Sequence, residues 1–219
     1  MKTIKIIAMC TLIVGLSVQA KIRDEITKTF DVSERVEFRL ENVNGEVDIK
    51  AWDKNVIKVT AVISAKNQDD RDRITVEMDE NGRGVSVETH YKKSSGWGNH
   101  HSGSVDYEVL VPSQTRLSSI DIVNGSLKVE GVKGEVNIDL VNGSIVIEGL
   151  TRDSEINSVN GSIEVSYQAL SDDLREISID TVNGRIELSL PENISADVDI
   201  ETMHGSIKND FGLSADKNM

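Results

Sequence analysis

The chain has 219 residues, 38% of them hydrophobic and only 4% aromatic, with 24 Lys and Arg against 37 Asp and Glu and a net charge of −13. So acidic a surface repels phosphate backbones and argues against nucleic acid as a partner. A single cysteine, Cys10, excludes a disulfide framework.

Residues 1–20 read as a secretory signal, with Lys2 and Lys5 as the charged start, Ile6 to Leu16 as the apolar run, and Val18 and Ala20 as small cleavage-site residues. The mature protein is expected to begin near Lys21, exported to the periplasm, the cell surface or the medium. Cutting there removes two lysines and no acid, which takes the net charge from −13 to −15. Cys10 leaves with the signal, and with it any thiol nucleophile. Lipid attachment at Cys10 is disfavoured because Met9 stands where a small residue is wanted. The apolar run is about 11 residues, short of the roughly 20 that span a bilayer, so no transmembrane segment is expected.

The first informative motif is Val43-Asn44-Gly45, a corner with an apolar residue on each side at alternate positions. Residues 55 to 111 then read as longer strands, Val56 to Ala65, Ile74 to Met78, Val85 to Thr89 and Val105 to Val111, with Pro112 ending the last. They are expected to form a flanking sheet or the opening rungs of the repeat that follows. Asn67 to Arg73 is a polar turn region, and Asn81-Gly82-Arg83-Gly84 is a hairpin turn by composition.

The run Ser94 to Gly103 has the most unusual local composition. It places Trp97 beside His100 and His101, with His90 and Tyr91 just upstream. Paired imidazoles bind Zn²⁺ or Cu²⁺ when further ligands converge, and an exposed Trp stacks on a sugar or an aromatic group. Trp97, His100, His101 and His90 are therefore the candidate ligand-binding residues. The plainer reading is a glycine-rich loop that happens to carry histidines.

Beyond Pro112 the corner returns as Val123-Asn124-Gly125, Val141-Asn142-Gly143, Val159-Asn160-Gly161, Val182-Asn183-Gly184 and the variant Met203-His204-Gly205, with intervals of 18, 18, 23 and 21 residues. Aligned on the glycine, the flanks repeat too. Leu40, Ile120, Ile138, Ile156, Ile179 and Ile200 precede the corner in one column, and Val47, Leu127, Ile145, Ile163, Ile186 and Ile207 follow it in another. A turn alone would leave its flanks unrelated, so the repeat is strand, corner, strand. Hairpins would turn roughly every 8–12 residues, and a hexapeptide helix stepping from Leu127 lands on Lys133 and Asp139. The period predicts an all-β solenoid whose rungs carry two or three short strands, with Asn and Gly suited to the corner because both tolerate positive φ. A turn is expected at Leu170 to Arg175. The signal apart, residues 21–219 form one domain, with N-terminal rungs and sheet over 21–115 and regular Asn-Gly rungs over 116–210.

Stacking would align Glu41, Asp121, Asp139, Asn157, Asp180 and Glu201 in an outward acidic column, which weak Ca²⁺ binding or a solvated face would equally accommodate. Asn124, Asn142, Asn160 and Asn193 match the glycosylation acceptor pattern, the first three as by-products of the corner. The chain has no Gly-x-Ser-x-Gly elbow, His-Glu-x-x-His or phosphate loop. A carboxylate pair on a carbohydrate-active β-helix is the enzymatic alternative, and 4% aromatic residues give little to line a sugar groove. The degraded last corner, with Asn209 breaking an apolar column, is expected to cap one end, and the other end could self-associate through open strand edges.

Three features in order carry a family resemblance: Phe30 to Asp53 with Leu40-x-Asn42-x-Asn44-Gly45-x-Val47-x-Ile49-x-Ala51-Trp52-Asp53, a strand ending Val109-x-Val111-Pro112, and tandem Asn-Gly-Ser rungs. Nearly the whole mature chain resembles the bacterial putative-adhesin domain family, also called toastrack-type. The resemblance implies a single-stranded right-handed β-helix on a secreted or envelope-attached protein, with no catalytic residues or cofactor to transfer. It implies a non-catalytic scaffold or sensing module whose partner is an unidentified envelope protein or polysaccharide. Lacking the membrane helix of tethered relatives, this chain would need such a partner to signal.

Overall fold

The computed structural model describes residues 21–92 and 103–192, together with positions 194, 208 and 210. Trp97, His100 and His101 lie outside the described residues, as do the signal and the Met203-His204-Gly205 corner. The strands are β1 (Ile22–Asp31), β2 (Glu37–Asn44), β3 (Val47–Trp52), β4 (Val56–Ala65), β5 (Ile74–Asn81), β6 (Gly84–Tyr91), β7 (Gly103–Pro112) and β8 (Arg116–Asn124). They continue as β9 (Leu127–Glu130), β10 (Val136–Asn142), β11 (Ile145–Leu150), β12 (Ser154–Asn160), β13 (Ile163–Tyr167), β14 (Ile177–Asn183) and β15 (Ile186–Ser189). One short helix, α1 (Gln68–Arg71), interrupts them, with the Asn67 side chain accepting from the Asp70 N–H at its start.

Each rung is two strands joined at a corner. The first strands stack in one open sheet, in the order β14-β12-β10-β8-β2-β6-β5, and the second strands in another, β1-β4-β7-β3-β9-β11-β13-β15. From β6/β7 through β14/β15 neighbouring rungs run parallel. Register follows the repeat: Ile120 faces Ile138, Ile138 faces Ile156, Leu127 faces Ile145 and Ile145 faces Ile163. The chain is thus an all-β solenoid, with two strands per rung.

Rung order in space departs from chain order. The rung β2/β3 lies between β6/β7 and β8/β9, so the chain lays down the second rung first, runs outward, and returns to build the first. The long strands expected over 55–111 are therefore an extension of the same two sheets. Two of them reverse direction at the outer end. Strand β4 is antiparallel to β7, β1 is antiparallel to β4, and β5 is antiparallel to β6.

That reversal brings the two sheet edges, β1 and β5, within side-chain reach of each other. Lys28 on β1 donates from Nζ to the carbonyl oxygen of Met78 on β5 at 2.5 Å, tying the edge of one sheet to the edge of the other. Its ammonium also stands 4.9 Å from the centre of the Phe30 ring. Arg71 pairs with Asp24 and donates to the Ile74 carbonyl at 3.0 Å. Charged edge strands of this kind resist pairing with another molecule. The turn region expected over Asn67 to Arg73 is the connection that α1 occupies.

The core lies between the two sheets, where alternate residues meet. Ile120, Ile138 and Ile156 from one sheet, and Val129, Ile147 and Val165 from the other, are fully buried. All belong to one cluster that runs the length of the stack. Burying a side chain of this size contributes about 1.5–3 kcal/mol, and each column repeats the gain from β2/β3 to β12/β13, while Ile186 and Leu188 of the β14/β15 rung are exposed. Small irregularities adjust the fit, including a register shift across Glu148 and Leu150 where Gly149 takes φ +86°.

Truncating Ile147 to Ala should lower stability by about 2–5 kcal/mol, because a closed stack leaves a cavity that neighbours cannot fill. Val146→Ser, on the outward face one residue earlier, should change it by less than about 0.5 kcal/mol. Denaturant midpoints compared at constant slope measure both, and equal losses would contradict the inward and outward assignment.

Candidate functional site

Along the corner, each rung presents a valine, an asparagine and a glycine in register with the next. Strands β2, β8, β10, β12 and β14 end on Asn44, Asn124, Asn142, Asn160 and Asn183. Their side chains form an amide ladder. Nδ2 of Asn124 donates to Oδ1 of Asn44 at 3.0 Å, Asn142 to Asn124 at 2.9 Å, Asn160 to Asn142 at 3.0 Å and Asn183 to Asn160 at 3.1 Å. The backbone answers in the opposite direction. Gly125 N–H donates to the Asn142 carbonyl at 3.0 Å, Gly143 to Asn160 at 3.0 Å and Gly161 to Asn183 at 2.9 Å.

Both corner residues tolerate positive φ, and the structure divides the work between them. Among the described residues only glycines do so, with φ of 128° at Gly45, 143° at Gly143 and 153° at Gly161. The asparagines remain extended strand ends. Glycine is also demanded by space, since a Cβ on Gly143 would stand 1.7 Å from the Gly125 carbonyl oxygen. Asparagine is demanded by the ladder: only a side chain with both a donor and an acceptor can repeat head to tail. The signal was present in the sequence, as the same amide at the same place in successive rungs.

Beside the ladder runs a stripe of outward valines, with Val123, Val141 and Val159 about 40% exposed. At the capped end Tyr91 ends β6. Continuing the register that sets Glu41 opposite Glu88 brings Tyr91 level with Asn44. Residues 92–102, between β6 and β7, occupy the place in the chain that Asn-Gly occupies in the other rungs.

Of the candidate ligand residues, His90 is described. It is exposed on β6, with Nε2 3.5 Å from a carboxylate oxygen of Glu77 and of Glu88. The acidic column forms in register from Glu41 through Asp121, Asp139, Asn157 and Asp180. Neighbouring polar groups relieve it: Asn157 donates to Asp139 at 3.1 Å, and Ser178 to Asp180 at 3.3 Å. Among the described residues, no three potential ligands converge on a metal position.

A cleft of about 400 Å³ opens on the far side of the rungs, lined by Arg152, Asp153, Asp173 and Arg175 among others. Both of its arginines are paired, Arg152 with Asp173 at 2.6 Å and Arg175 with Asp153 at 3.2 Å. Burial pushes the Asp153 carboxyl up, but the N–H groups of Arg175 and Glu176 outweigh it and hold the group below its ordinary range. The turn expected at Leu170 to Arg175 supplies this wall. Trp52 belongs to a turn as well: its Nε1 donates to the Val56 carbonyl at 2.8 Å, with Lys54 Nζ 4.8 Å from the ring centre.

The geometry defines a class, a β-solenoid of two open sheets held at its corner by an amide ladder. Residues 117–219 match the family model described as Toastrack DUF4097, so the regular rungs are of the kind that the sequence resembles. No curated protein matches the chain. Among solved structures, a putative cell adhesion protein from Clostridium sporogenes is 12% identical, with 78% of this chain and 100% of that one covered at a TM-score of 0.55, a likeness of fold. A putative adhesin from Bacteroides fragilis is 11% identical over 75% of this chain and 97% of that one, at a TM-score of 0.29. Another from Parabacteroides distasonis is 11% identical over 76% and 79%, at 0.27. Among the described residues no helix is long and apolar enough to cross a membrane.

All three tyrosines of the chain back onto the core. Burial pushes the Tyr167 phenol up to about 12 against the pull of its hydrogen bond with Ser154, and burial does the same for Tyr91. Burial raises Tyr107 further, opposed by its contact with Thr89. An unfolded chain releases these protons near the ordinary value of 10, so stability should be intact below that pH and fall as pH rises through about 12. Phenolate absorbance followed together with unfolding will check this. Ionisation of all three near pH 10 with the fold intact would contradict the burial.

Proposed function

We propose that this chain is an exported, non-catalytic, adhesin-like scaffold of the cell envelope, lying in the periplasm or on the cell surface. The observation that carries the reading is the corner itself. Its asparagines and glycines are engaged with one another from rung to rung, so the repeat is committed to building a rigid face. In the cleft beside the turn at Leu170 to Arg175, both arginines are likewise paired with carboxylates of the same wall. The name of the Clostridium sporogenes neighbour, a putative cell adhesion protein, supports the same direction. The secretory pattern of residues 1–20 supports export, with a single mature domain from Lys21 onward.

The solenoid is right-handed in this reading. Strands β9 and β11 are parallel neighbours in one sheet joined through β10 in the other, and crossovers of this form are right-handed in about 98% of cases. Ligand contact falls to the segment between β6 and β7, where Trp97, His100 and His101 follow His90. Loops carried on a rigid frame are where binding residues concentrate. The partner is an envelope protein or polysaccharide, and envelope sensing would follow if that partner spans the membrane.

Purified mature protein should bind isolated envelope material, and a Trp97→Ala/His100→Ala/His101→Ala variant should bind at least about tenfold more weakly, the loss of about 1.4 kcal/mol or more. Cell fractionation should recover a chain cut near Lys21 outside the cytoplasm. Retention of the uncut chain in the cytoplasm, or cleavage of a polysaccharide by the purified protein, would overturn the reading.

A further inference from the structure

The chain holds six Asn-Gly pairs, at Asn44, Asn81, Asn124, Asn142, Asn160 and Asn183. Asn-Gly is the dipeptide most open to spontaneous ring closure, because glycine leaves the attacking backbone nitrogen unshielded. The fold treats these pairs unequally. In the ladder, Asn124, Asn142 and Asn160 each engage both Nδ2 and Oδ1 with the neighbouring rungs. The N–H of the glycine that follows each is bound to the next rung's carbonyl. Nucleophile and carbonyl carbon are thus both held, and they meet only when the rung opens.

Asn81-Gly82 sits at the tip of the hairpin joining β5 and β6, and Asn81, Gly82 and Arg83 are all exposed. Its Oδ1 accepts from the N–H of Arg83 at 2.9 Å and of Gly84 at 3.3 Å, which folds the side chain over the peptide that would attack it. Those two donors also face the oxygen on which negative charge develops when a nucleophile adds to the amide carbon, and so favour the addition. The space around Gly82 is open, with nothing within 4 Å of where a Cβ on that residue would stand.

We propose that Asn81-Gly82 is a self-modifying site, converting to aspartate and isoaspartate in the folded protein while the ladder protects Asn124, Asn142 and Asn160. The Gly82 backbone nitrogen loses its proton to hydroxide and adds to Asn81 Cγ. The bond from Cγ to Nδ2 breaks, and ammonia leaves after taking a proton from water. The resulting succinimide then adds water at either ring carbonyl and opens to aspartate or isoaspartate. One water is consumed and one ammonia released, with no other reactant. The product adds a negative charge beside Asp79 and Glu80, and the isoaspartate adds a methylene to the main chain. That change falls on the hairpin whose Arg83 carbonyl accepts from the Glu37 N–H at 3.3 Å, and whose Gly84 leaves no room for a Cβ, which would stand 1.9 Å from the Glu37 carbonyl oxygen.

The test is a time course of the folded mature protein in mildly alkaline buffer, with peptide mass mapping of each Asn-Gly pair and an isoaspartate-specific assay. Asn81 should convert at least about tenfold faster than Asn124, Asn142 or Asn160, since reaction there needs no rung to open. In urea the pairs should converge to similar rates. Gly82→Ala should slow conversion at residue 81 without loss of fold, the added methyl meeting no neighbour. Ladder asparagines converting as fast as Asn81 in the folded protein would overturn the proposal, as would an Asn81 left intact over a period that converts it in urea.

Discussion

Parallel strands stacked in register bring each side chain within about 4.8 Å of the same position in the next rung. Every residue in a column therefore has to tolerate its own kind as a neighbour. Isoleucine and valine satisfy this inside, where like packs on like and water is excluded. At the corner the requirement is stricter, since the backbone bends there and polar groups face solvent. Glycine gives way sterically, and asparagine turns repetition into a hydrogen bond. Charged columns meet the requirement less well, and the structure dilutes them with Asn157, Ser119 and Ser178.

The ladder explains why the glycosylation-like sequences are incidental. Nδ2 of Asn124, Asn142 and Asn160, the atom a glycan would take, is the donor to the previous rung. Replacing any one of these residues would take the amide partner from two neighbours, so the effect of a single change spreads to both sides. The antiparallel strands β1, β4 and β5 solve a different problem, that of ending a parallel stack on edges rich in charged residues. Lys28 and Arg71 then join the two sheets across that end.

Much of this was legible from residue order alone, because a solenoid writes its geometry into columns. The inward residues from Leu40 to Ile163, the corners, and strand β4 from Val56 to Ala65 could all be read directly. The β6/β7 rung could not be placed, since it lacks the Asn-Gly corner and lies in space before the rung that precedes it in the chain. Strand β1 was missed because its pattern is weak: as an edge strand it buries Phe30 but leaves most of its residues half-buried or exposed. The tolerance of asparagine for positive φ accounts for its place beside a corner but not for its role, since the side chain's partner is a neighbour 18 residues away and no turn preference reveals it. The ligand residues remain a matter of sequence for Trp97, His100 and His101, with His90 placed on an outward face between two carboxylates.

The central claim is that the corners are locked rung to rung and are not loose turns between strands. Amide hydrogen exchange at Gly125, Gly143 and Gly161 tests it most directly, because each N–H is bound to the Asn carbonyl of the following rung. These three amides should exchange as slowly as those of the strands around them, through opening of the stack. Exchange at the rate of an unstructured Asn-Gly peptide, with the strands still protected, would show that the ladder does not hold the corner.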